Sequence, residues 1–218
     1  MSIRMWKKRP VGDVRGEDGK PRRPVASFAV ASYLNEEARR ADALACFLYS
    51  VRAQTYPNWE VVVVHDGPVK TDYGRKVWEQ FSDDPRFRMI ETPVRKGDHG
   101  HHWRQLGIES TTGDFVAMGN DDNYVAPTFV EAMLSALTVD GADFTFCDML
   151  HSHRGWQKID SRIERGKIDV GNWMAAAKLV KSVPWTRTEF AADWFYVEAL
   201  KKKARKVVKV QNTLFCHN

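Results

Sequence analysis

The feature that most constrains the fold of this chain is a run of four valines at positions 61–64, followed by the turn residues Asp66, Gly67 and Pro68. A β-branched run without polar alternation is typical of a strand that is buried on both faces of a sheet. Such strands occur in parallel sheets, whose crossover connections are usually helices. The run therefore favours an α/β fold with helices on both sides of the sheet.

Strand and helix patterns alternate along the rest of the chain from Val25 onward. Further short apolar segments of strand length lie at 25–30, 87–90, 114–118, 143–147 and 207–210. Apolar residues at helical spacing predict helices around 44–51 and 130–137, and a third is predicted over 193–203. This order predicts a Rossmann-like, mostly parallel sheet flanked by helices, which binds its ligand at the carboxyl ends of the strands.

The net charge is +5, and basic residues concentrate at 7–23 and 201–206. Residues 1–23 are rich in Gly, Pro, Arg and Lys, which predicts a flexible basic arm followed by a single domain over 24–218. Basic clusters attract the phosphates of nucleotides, nucleic acid or anionic lipid, but a solvated arm and a solvated helix face have the same composition. Charge alone therefore decides no function.

The cysteines and the apolar runs bear on the compartment. Cys46, Cys147 and Cys216 form no CxxC pair, so we expect three reduced, buried thiols and neither a disulfide framework nor a zinc knuckle. The start of the chain lacks the apolar stretch of a secretory signal, and no apolar run is long enough to cross a bilayer. Both observations favour a cytoplasmic protein without a transmembrane segment.

The strongest local signal is the segment GNDDNY at 119–124, directly after the predicted strand 114–118. Adjacent carboxylates at a strand end repel each other unless a cation or hydrogen-bond donors compensate. Oxygen ligands of this kind suit Mg²⁺ or Mn²⁺ shared between the protein and a diphosphate. A plain surface turn has a similar composition, but the position after a buried strand favours a functional site.

Five segments, in order along the chain, carry a resemblance to a known family. They are ASYLNE at 31–36, AQTYPNWE at 53–60, VVVVHDG at 61–67, RQLGIE with TGDF between 104 and 115, and NDDN at 120–123 with Pro127. Together they resemble glycosyltransferase family 2, the inverting enzymes with the GT-A fold. The resemblance implies a nucleoside-diphosphate-sugar donor bound by residues 24–125, an acceptor side over 126–218, and Mn²⁺ or Mg²⁺ as cofactor.

The resemblance also implies roles for individual residues. Asp66 would accept the imide N–H of uracil, which is the basis for preferring a UDP-sugar. The other residues of the expected nucleotide-sugar site are Ser32, Tyr33, Arg104, Asn120 and Asp121. Asp122 would ligate the metal, with His217 as a further ligand. More ordinary roles stay open, since Asp66 also suits a turn and Arg104 a surface ion pair.

The chain departs from the family pattern at four positions. Ala31 stands where proline is usual, Leu34 is inserted before the Asn-Glu pair, His65 takes the place of the first Asp of the strand-end pair, and Asn120 takes the first position of the acidic triplet. An amide at position 120 still hydrogen-bonds a ribose or sugar hydroxyl but adds no charge. These changes bear on the identity of the base more than on the metal.

Inversion requires a general base that removes the proton of the acceptor hydroxyl as that hydroxyl attacks. The segment FAADWFY at 190–196 resembles the family's base region, and Asp193 is the predicted base, with Glu189 as the second choice. Asp193 also suits the N-cap of the helix predicted after it.

Two aromatic or histidine-rich segments remain. His99, His101 and His102 lack the spacing and thiolate partners of a zinc site, so we expect a flexible loop over the donor diphosphate with Trp103 packed beneath it. Trp173 lies where an acceptor platform would be natural, although a core position is the commoner fate of a tryptophan.

Other functions fit the sequence less well. A nucleotidyltransferase would need a glycine-rich, basic loop after the first strand, whereas residues 32–37 are acidic and lack glycine. A nucleic-acid-binding module, or a family member without turnover, leaves the acidic residues without a role. The acceptor stays open between a saccharide, a lipid-linked molecule and a small molecule, with modified DNA gripped by the basic arm as a less favoured choice.

Overall fold

The computed structural model describes residues 9–35 and 38–218. Lys7 and Lys8 of the basic arm, and Glu36 of the ASYLNE segment, lie outside the described residues. The helices are α1 (Ala38–Arg52), α2 (Asp72–Glu79), α3 (Arg104–Glu109), α4 (Phe129–Thr138), α5 (Ala177–Lys181) and α6 (Ala192–Lys203). The strands are β1 (Val14–Arg15), β2 (Pro21–Arg22), β3 (Ala26–Ser32), β4 (Trp59–His65), β5 (Phe87–Glu91), β6 (Phe115–Asn120), β7 (Tyr124–Val125), β8 (Phe144–His151), β9 (Gln157–Ile159), β10 (Trp173–Ala176) and β11 (Val207–His217).

The main sheet has the order β5-β4-β3-β6-β10-β8-β11-β7, with β9 paired to β8. Strands β3 to β6 pair in parallel, and β11 is parallel to β8, whereas β10 runs antiparallel to both of its neighbours. The mostly parallel α/β sheet predicted from the valine run is thus confirmed. The carboxyl ends of β3, β4 and β6 lie side by side at one edge, which is where the acidic segments follow.

The sheet separates two apolar cores, as the two-sided burial of its strands requires. Alternate residues of β3 point to opposite faces, so Phe28 packs with Phe47 of α1 while Ala29 packs with Trp173 and the helices of the other face. Every residue of β3 is buried, which is the pattern predicted for a strand covered on both sides.

Residues 9–23 differ from the flexible arm predicted from composition. Val11 is buried in the first core, β1 and β2 form a two-stranded hairpin, and the Arg22 guanidinium forms two hydrogen bonds to the Asp114 carboxylate at 2.7 and 2.9 Å. Arg23 donates to the Val11 carbonyl and lies over the Tyr56 ring. The partners of these arginines are distant in sequence, so composition alone does not reveal the docking.

The three cysteines are free thiols, as predicted, but their burial varies. Cys147 is buried and Cys216 is half-buried, whereas Cys46 is exposed on α1, contrary to expectation.

Among the described residues, the helices are all too short or too polar to cross a membrane.

Candidate active site

A cleft of about 650 Å³ opens at the carboxyl edge of the parallel strands. Its walls come from both halves of the chain, and they include every residue predicted for the site. Those residues are Ser32, Tyr33, Asp66, Arg104, Asn120, Asp121, Asp122, Asp193 and His217. Seven of them follow or end β3, β4 and β6 or begin α3 beside them, so parallel pairing brings together segments that are far apart in sequence.

Asp121 is a buried carboxylate that links β6 to the loop after β3. Its Oδ2 atom accepts hydrogen bonds from the Ser32 hydroxyl and the Tyr33 backbone N–H, both at 3.0 Å. Burial, reinforced by the neighbouring Asp122 charge, raises the pKa of Asp121 to about 6 in spite of these donors. Asp121 therefore positions the loop that carries Ser32 and Tyr33 at the cleft.

Asp122 is more open than Asp121, with 31% of its side chain exposed. The Arg40 guanidinium lies 3.4 Å from Asp121 Oδ1 and 3.7 Å from Asp122 Oδ2, between the two carboxylates. Burial raises the pKa of Asp122, and Arg40 and His217 act in the opposite direction. Arg40 was not predicted from the sequence, although its position in the first turn of the helix after β3 is a usable signal for a residue at this edge of the sheet.

Asp66 is held by the loop that carries the predicted histidine cluster. Its carboxylate accepts the backbone N–H groups of Lys96 and Gly97 at 2.7 and 2.8 Å and the Trp103 indole N–H at 2.8 Å. Burial alone would raise the pKa of Asp66, but these three donors keep it below its ordinary value. Asp66 is thus an ionised acceptor with one lone-pair direction beyond the three donors, because a carboxylate has about four.

His65, one of the departures from the family pattern, is fully buried and joins two loops. Its Nε2 atom accepts the Leu34 backbone N–H at 2.7 Å, and its Nδ1 atom lies 2.6 Å from the Gly67 carbonyl oxygen. These partners define a neutral ring protonated at Nδ1, and burial lowers the pKa of His65. The inserted Leu34 and the substituted His65 are therefore partners in a single contact.

Arg104 is buried rather than part of a surface ion pair. Its guanidinium donates to the Gly119 carbonyl at 3.3 Å and to the Asn120 side-chain oxygen, and it lies over the Trp185 ring. Burial lowers the pKa of Arg104 to about 10, with the carboxylates of the cleft, Asp193 foremost, acting against it. Arg104 is positioned to supply positive charge at the floor of the cleft.

Asp193 lies in the first turn of α6 and lines the cleft. The N-cap is Ala191, and the Asp193 carboxylate accepts the N–H of the next residue, Trp194, at 2.8 Å. Burial raises the pKa of Asp193, with the nearby Asp169 charge adding to the effect. The second choice, Glu189, is exposed, pairs with Arg187 and does not line the cleft.

His217 ends β11 at the same cleft. Its Nδ1 atom lies 3.0 Å from Asp169 Oδ2, and this hydrogen bond raises the pKa of His217. A carboxylate on one ring nitrogen orients the other as a metal ligand. Asp169 was missed from the sequence because no local pattern joins positions 169 and 217.

The histidine cluster and Trp173 fall into different environments. His99 and His101 line the cleft, and the buried His101 stacks on Trp185 with the ring centroids 5.7 Å apart. His102 is exposed. Trp173 is fully buried in the second core, so it is a core residue and offers no acceptor platform.

Comparisons with known proteins agree on one family. The family model described as glycosyl transferase family 2 matches residues 29–206. The putative glycosyltransferase EpsH of Bacillus subtilis is 31% identical over 126 residues, which are 57% of this chain and 33% of EpsH. An uncharacterized glycosyltransferase of Haemophilus influenzae is 26% identical over 132 residues, which are 58% of this chain and 49% of the relative.

Solved structures resemble this chain over most of its length. S. aureus TarS 1–349 in complex with UDP-GlcNAc superposes with a TM-score of 0.73 at 15% identity, covering 88% of this chain and 58% of TarS 1–349. The mannosyltransferase PcManGT from Pyrobaculum calidifontis, in complex with GDP-Man and Mn²⁺, gives a TM-score of 0.65 at 16% identity and covers 99% of this chain and 60% of its own.

The chain therefore spans a third to a half of these curated relatives and about three fifths of the solved structures. Within the described ranges 9–35 and 38–218, no three His, Cys, Asp or Glu side chains converge to hold a metal ion by themselves.

The family match extends over 178 consecutive residues, from 29 to 206. This chain belongs to glycosyl transferase family 2 and has the GT-A fold.

Proposed function

We propose that this chain transfers a sugar from a nucleoside-diphosphate sugar, with UDP preferred, to an acceptor hydroxyl with inversion of configuration. The observation that carries the proposal is that Asp66, Asp121, Asp122 and Asp193 line one cleft although they come from three segments of the chain. Four acidic residues in one cleft are costly without a ligand or cation to offset their charge. A nucleotide bound with a metal ion, together with an acceptor hydroxyl, would provide a binding partner for each of these carboxylates.

Recognition of the base is proposed for Asp66. Its two oxygens accept three N–H groups from the 96–103 loop, which leaves one direction for the imide N–H of uracil. The low pKa of Asp66 keeps it an acceptor at neutral pH. Complexes of the structural neighbour TarS with UDP and UDP-GlcNAc support a uridine donor for this fold.

The residues beside the expected diphosphate suit a hard divalent cation. Asp122 offers carboxylate oxygens, and the hydrogen bond from His217 Nδ1 to Asp169 leaves the Nε2 atom available as a ligand. Because the protein supplies few ligands, the diphosphate would complete the coordination, as is usual for Mg²⁺. When bound, Mn²⁺ or Mg²⁺ supplies Lewis-acid stabilisation of the departing diphosphate. PcManGT in complex with Mn²⁺ supports this assignment.

Asp193 is the proposed general base. The acceptor oxygen forms a bond to the anomeric carbon while the bond from that carbon to the diphosphate oxygen breaks, and the hydroxyl proton passes to the Asp193 carboxylate. A pKa raised by burial makes Asp193 a better proton acceptor than an exposed carboxylate. Arg104, whose charge acts on Asp193, would help to keep the acidic cleft balanced.

The structure gives no support to an acceptor of modified DNA gripped by the arm. In the described part of the arm, Arg9, Arg15, Arg22 and Arg23 all bind groups of this chain. A phosphate would have to displace the partner that each of these four arginines already has. The acceptor is therefore sought at the cleft rather than along the arm.

The test is a panel of nucleotide sugars screened for thermal stabilisation and for Mn²⁺-dependent hydrolysis or transfer. We expect a UDP-sugar to stabilise the protein, Asp122→Asn to abolish metal-dependent turnover, and Asp193→Asn to bind the donor normally while losing at least about 100-fold in transfer. Glu189→Gln is the matched control and should stay active. Full activity of Asp193→Asn would remove the base assignment, and failure of every UDP-sugar to bind would remove the UDP preference.

A further inference from the structure

Two arginines that were not predicted from the sequence line the cleft. Arg154 and Arg165 both line the cavity and are exposed. Among the described residues, neither guanidinium has an ion-pair or hydrogen-bond partner. Eight other arginines of the described residues are paired with carboxylates, namely Arg9, Arg22, Arg40, Arg86, Arg88, Arg162, Arg187 and Arg205.

Both arginines sit on turns that are closed by backbone hydrogen bonds. Arg154 ends the short helical turn Ser152–Arg154 after β8, where Gly155 N–H donates to the Ser152 carbonyl at 2.9 Å. The next residue, Trp156, has a φ of 61°, which is costly for a tryptophan and marks a constrained turn. In the second turn, Lys167 N–H donates to the Glu164 carbonyl at 3.0 Å and closes the turn that carries Arg165. The two cations are thus presented on short, tied segments.

The strand order separates Arg154 from the expected base site. Asp121 and Asp122 follow β6, whereas Arg154 follows β8, which is two strands further along in the order β6-β10-β8. At ~4.8 Å per strand, the two strand ends are roughly 10 Å apart. The uracil acceptor Asp66 follows β4, two strands away in the opposite direction. Arg154 therefore lies away from the expected base site, on the β8 side of the cleft, where His217 pairs in register with His151.

The cleft carries negative charge that would repel an anionic acceptor. Asp169 and Asp193 line the same cleft as the two arginines, and the donor itself carries a diphosphate. A second phosphate would be repelled by these groups unless fixed positive charge offsets them. His153 is exposed and also lines the cleft, so it adds a hydrogen-bond donor beside Arg154. Guanidinium groups match phosphate oxygens with paired N–H donors.

We infer that Arg154 and Arg165 form an acceptor subsite for a phosphate group, so that the acceptor is a phosphate-bearing molecule rather than a neutral saccharide. This inference rests on the proposed function, because it takes the cleft to be a donor–acceptor site. The same chemistry has a second source, since the arginines would also contact a donor diphosphate that lay closer to β8. The experiment must separate these two phosphates.

The experiment titrates sn-glycerol 3-phosphate, with glycerol as the neutral match, into the full chain saturated with UDP and Mg²⁺. We expect the phosphate probe to bind, glycerol not to bind, and added NaCl to weaken the binding. The double variant Arg154→Gln/Arg165→Gln should lower the affinity for sn-glycerol 3-phosphate at least about tenfold. Its affinity for UDP should stay within about twofold of wild type. Arg162→Gln, on the same turn but paired with Asp160 and outside the cleft lining, is the matched control.

Several results would overturn the inference. They are failure of the probe to bind the UDP complex, equal binding to the double variant, and a loss of UDP affinity in the double variant, which would place the arginines on the donor. The single variants, Arg154→Gln and Arg165→Gln, serve if the double variant is unstable by thermal melting. UDP binding in the same titration tests the proposed function separately, because a protein that binds UDP but not the phosphate probe refutes the subsite alone.

Discussion

Removing the His65 ring is the most informative single perturbation, because two buried backbone groups depend on it. In His65→Ala the Leu34 N–H and the Gly67 carbonyl both lose their side-chain partner. An unsatisfied buried polar group costs about 1–3 kcal/mol, and a fully buried ring is removed as well. We expect the free energy of unfolding to fall by about 3–5 kcal/mol, a large part of the stability of an ordinary domain.

Two amide variants separate the contributions of the two ring nitrogens to this loss of stability. Gln places its terminal amide near the Nε2 position and can still accept from Leu34, whereas Asn places its amide near Nδ1 and can still donate to Gly67. We expect His65→Gln and His65→Asn each to lose about 1–3 kcal/mol at pH 8, less than His65→Ala. Urea unfolding followed by tryptophan fluorescence measures all three, with exposed His102→Gln as the control.

The pH dependence gives the same contact a second signature. Burial lowers the pKa of His65, so the folded protein holds the neutral ring and the unfolded chain takes up the proton first. The stabilisation is complete above pH 6.5 and declines below it by at most ~1.4 kcal/mol per pH unit until the folded pKa is reached. His101, whose pKa burial lowers to about 4, contributes equally to wild type and variants. The stability difference between wild type and His65→Ala should therefore shrink on acidification.

The catalytic consequence follows from the loop that His65 holds. Leu34 is next to Tyr33, whose N–H binds Asp121 at the cleft. We expect His65→Ala, where folded, to raise the KM for the donor more than it lowers kcat. A loss in stability below about 1 kcal/mol, or a stability difference from wild type that does not change between pH 8 and pH 5, would refute this account of His65.

Three further predictions concern other parts of the site. Gly171→Ala should cost about 1–3 kcal/mol in urea unfolding, because its Cβ would lie 2.4 Å from the Phe215 ring; an unchanged midpoint would show that the ring yields freely. Trp103→Phe removes one donor from Asp66 and should raise its pKa, so UDP binding should weaken at a higher pH on acidification than in wild type; titrations across pH 4–7 that coincide would contradict this. The raised pKa of Asp193 predicts that kcat falls on acidification from neutral pH. If the residual activity of Asp193→Asn shows the same fall, another group is responsible for it.

Periodicity in the sequence was sufficient for the sheet and its active edge. The valine run became β4, and the apolar spacing around 44–51 became part of α1. The acidic segment after β6 could be placed at the cleft because parallel strands bring their carboxyl ends to one edge. Local pattern and a general packing rule were enough for these features.

The contacts between side chains and distant loops were not available from the sequence. Arg40 lies between Asp121 and Asp122, Asp169 orients His217, and His65 binds the inserted Leu34. The members of each contact are between 31 and 82 positions apart, so no local periodicity links them.

The basic arm shows the same limit from composition. Its content of Gly, Pro, Arg and Lys predicted flexibility, yet Arg22 binds Asp114, 92 positions away, and Val11 enters the core. Composition measures how much apolar surface a segment can bury by itself. Whether a complementary surface exists elsewhere in the chain depends on the tertiary fold. The sequence thus determined the sheet and the edge at which the candidate site lies, and the tertiary structure decided which charges are paired there.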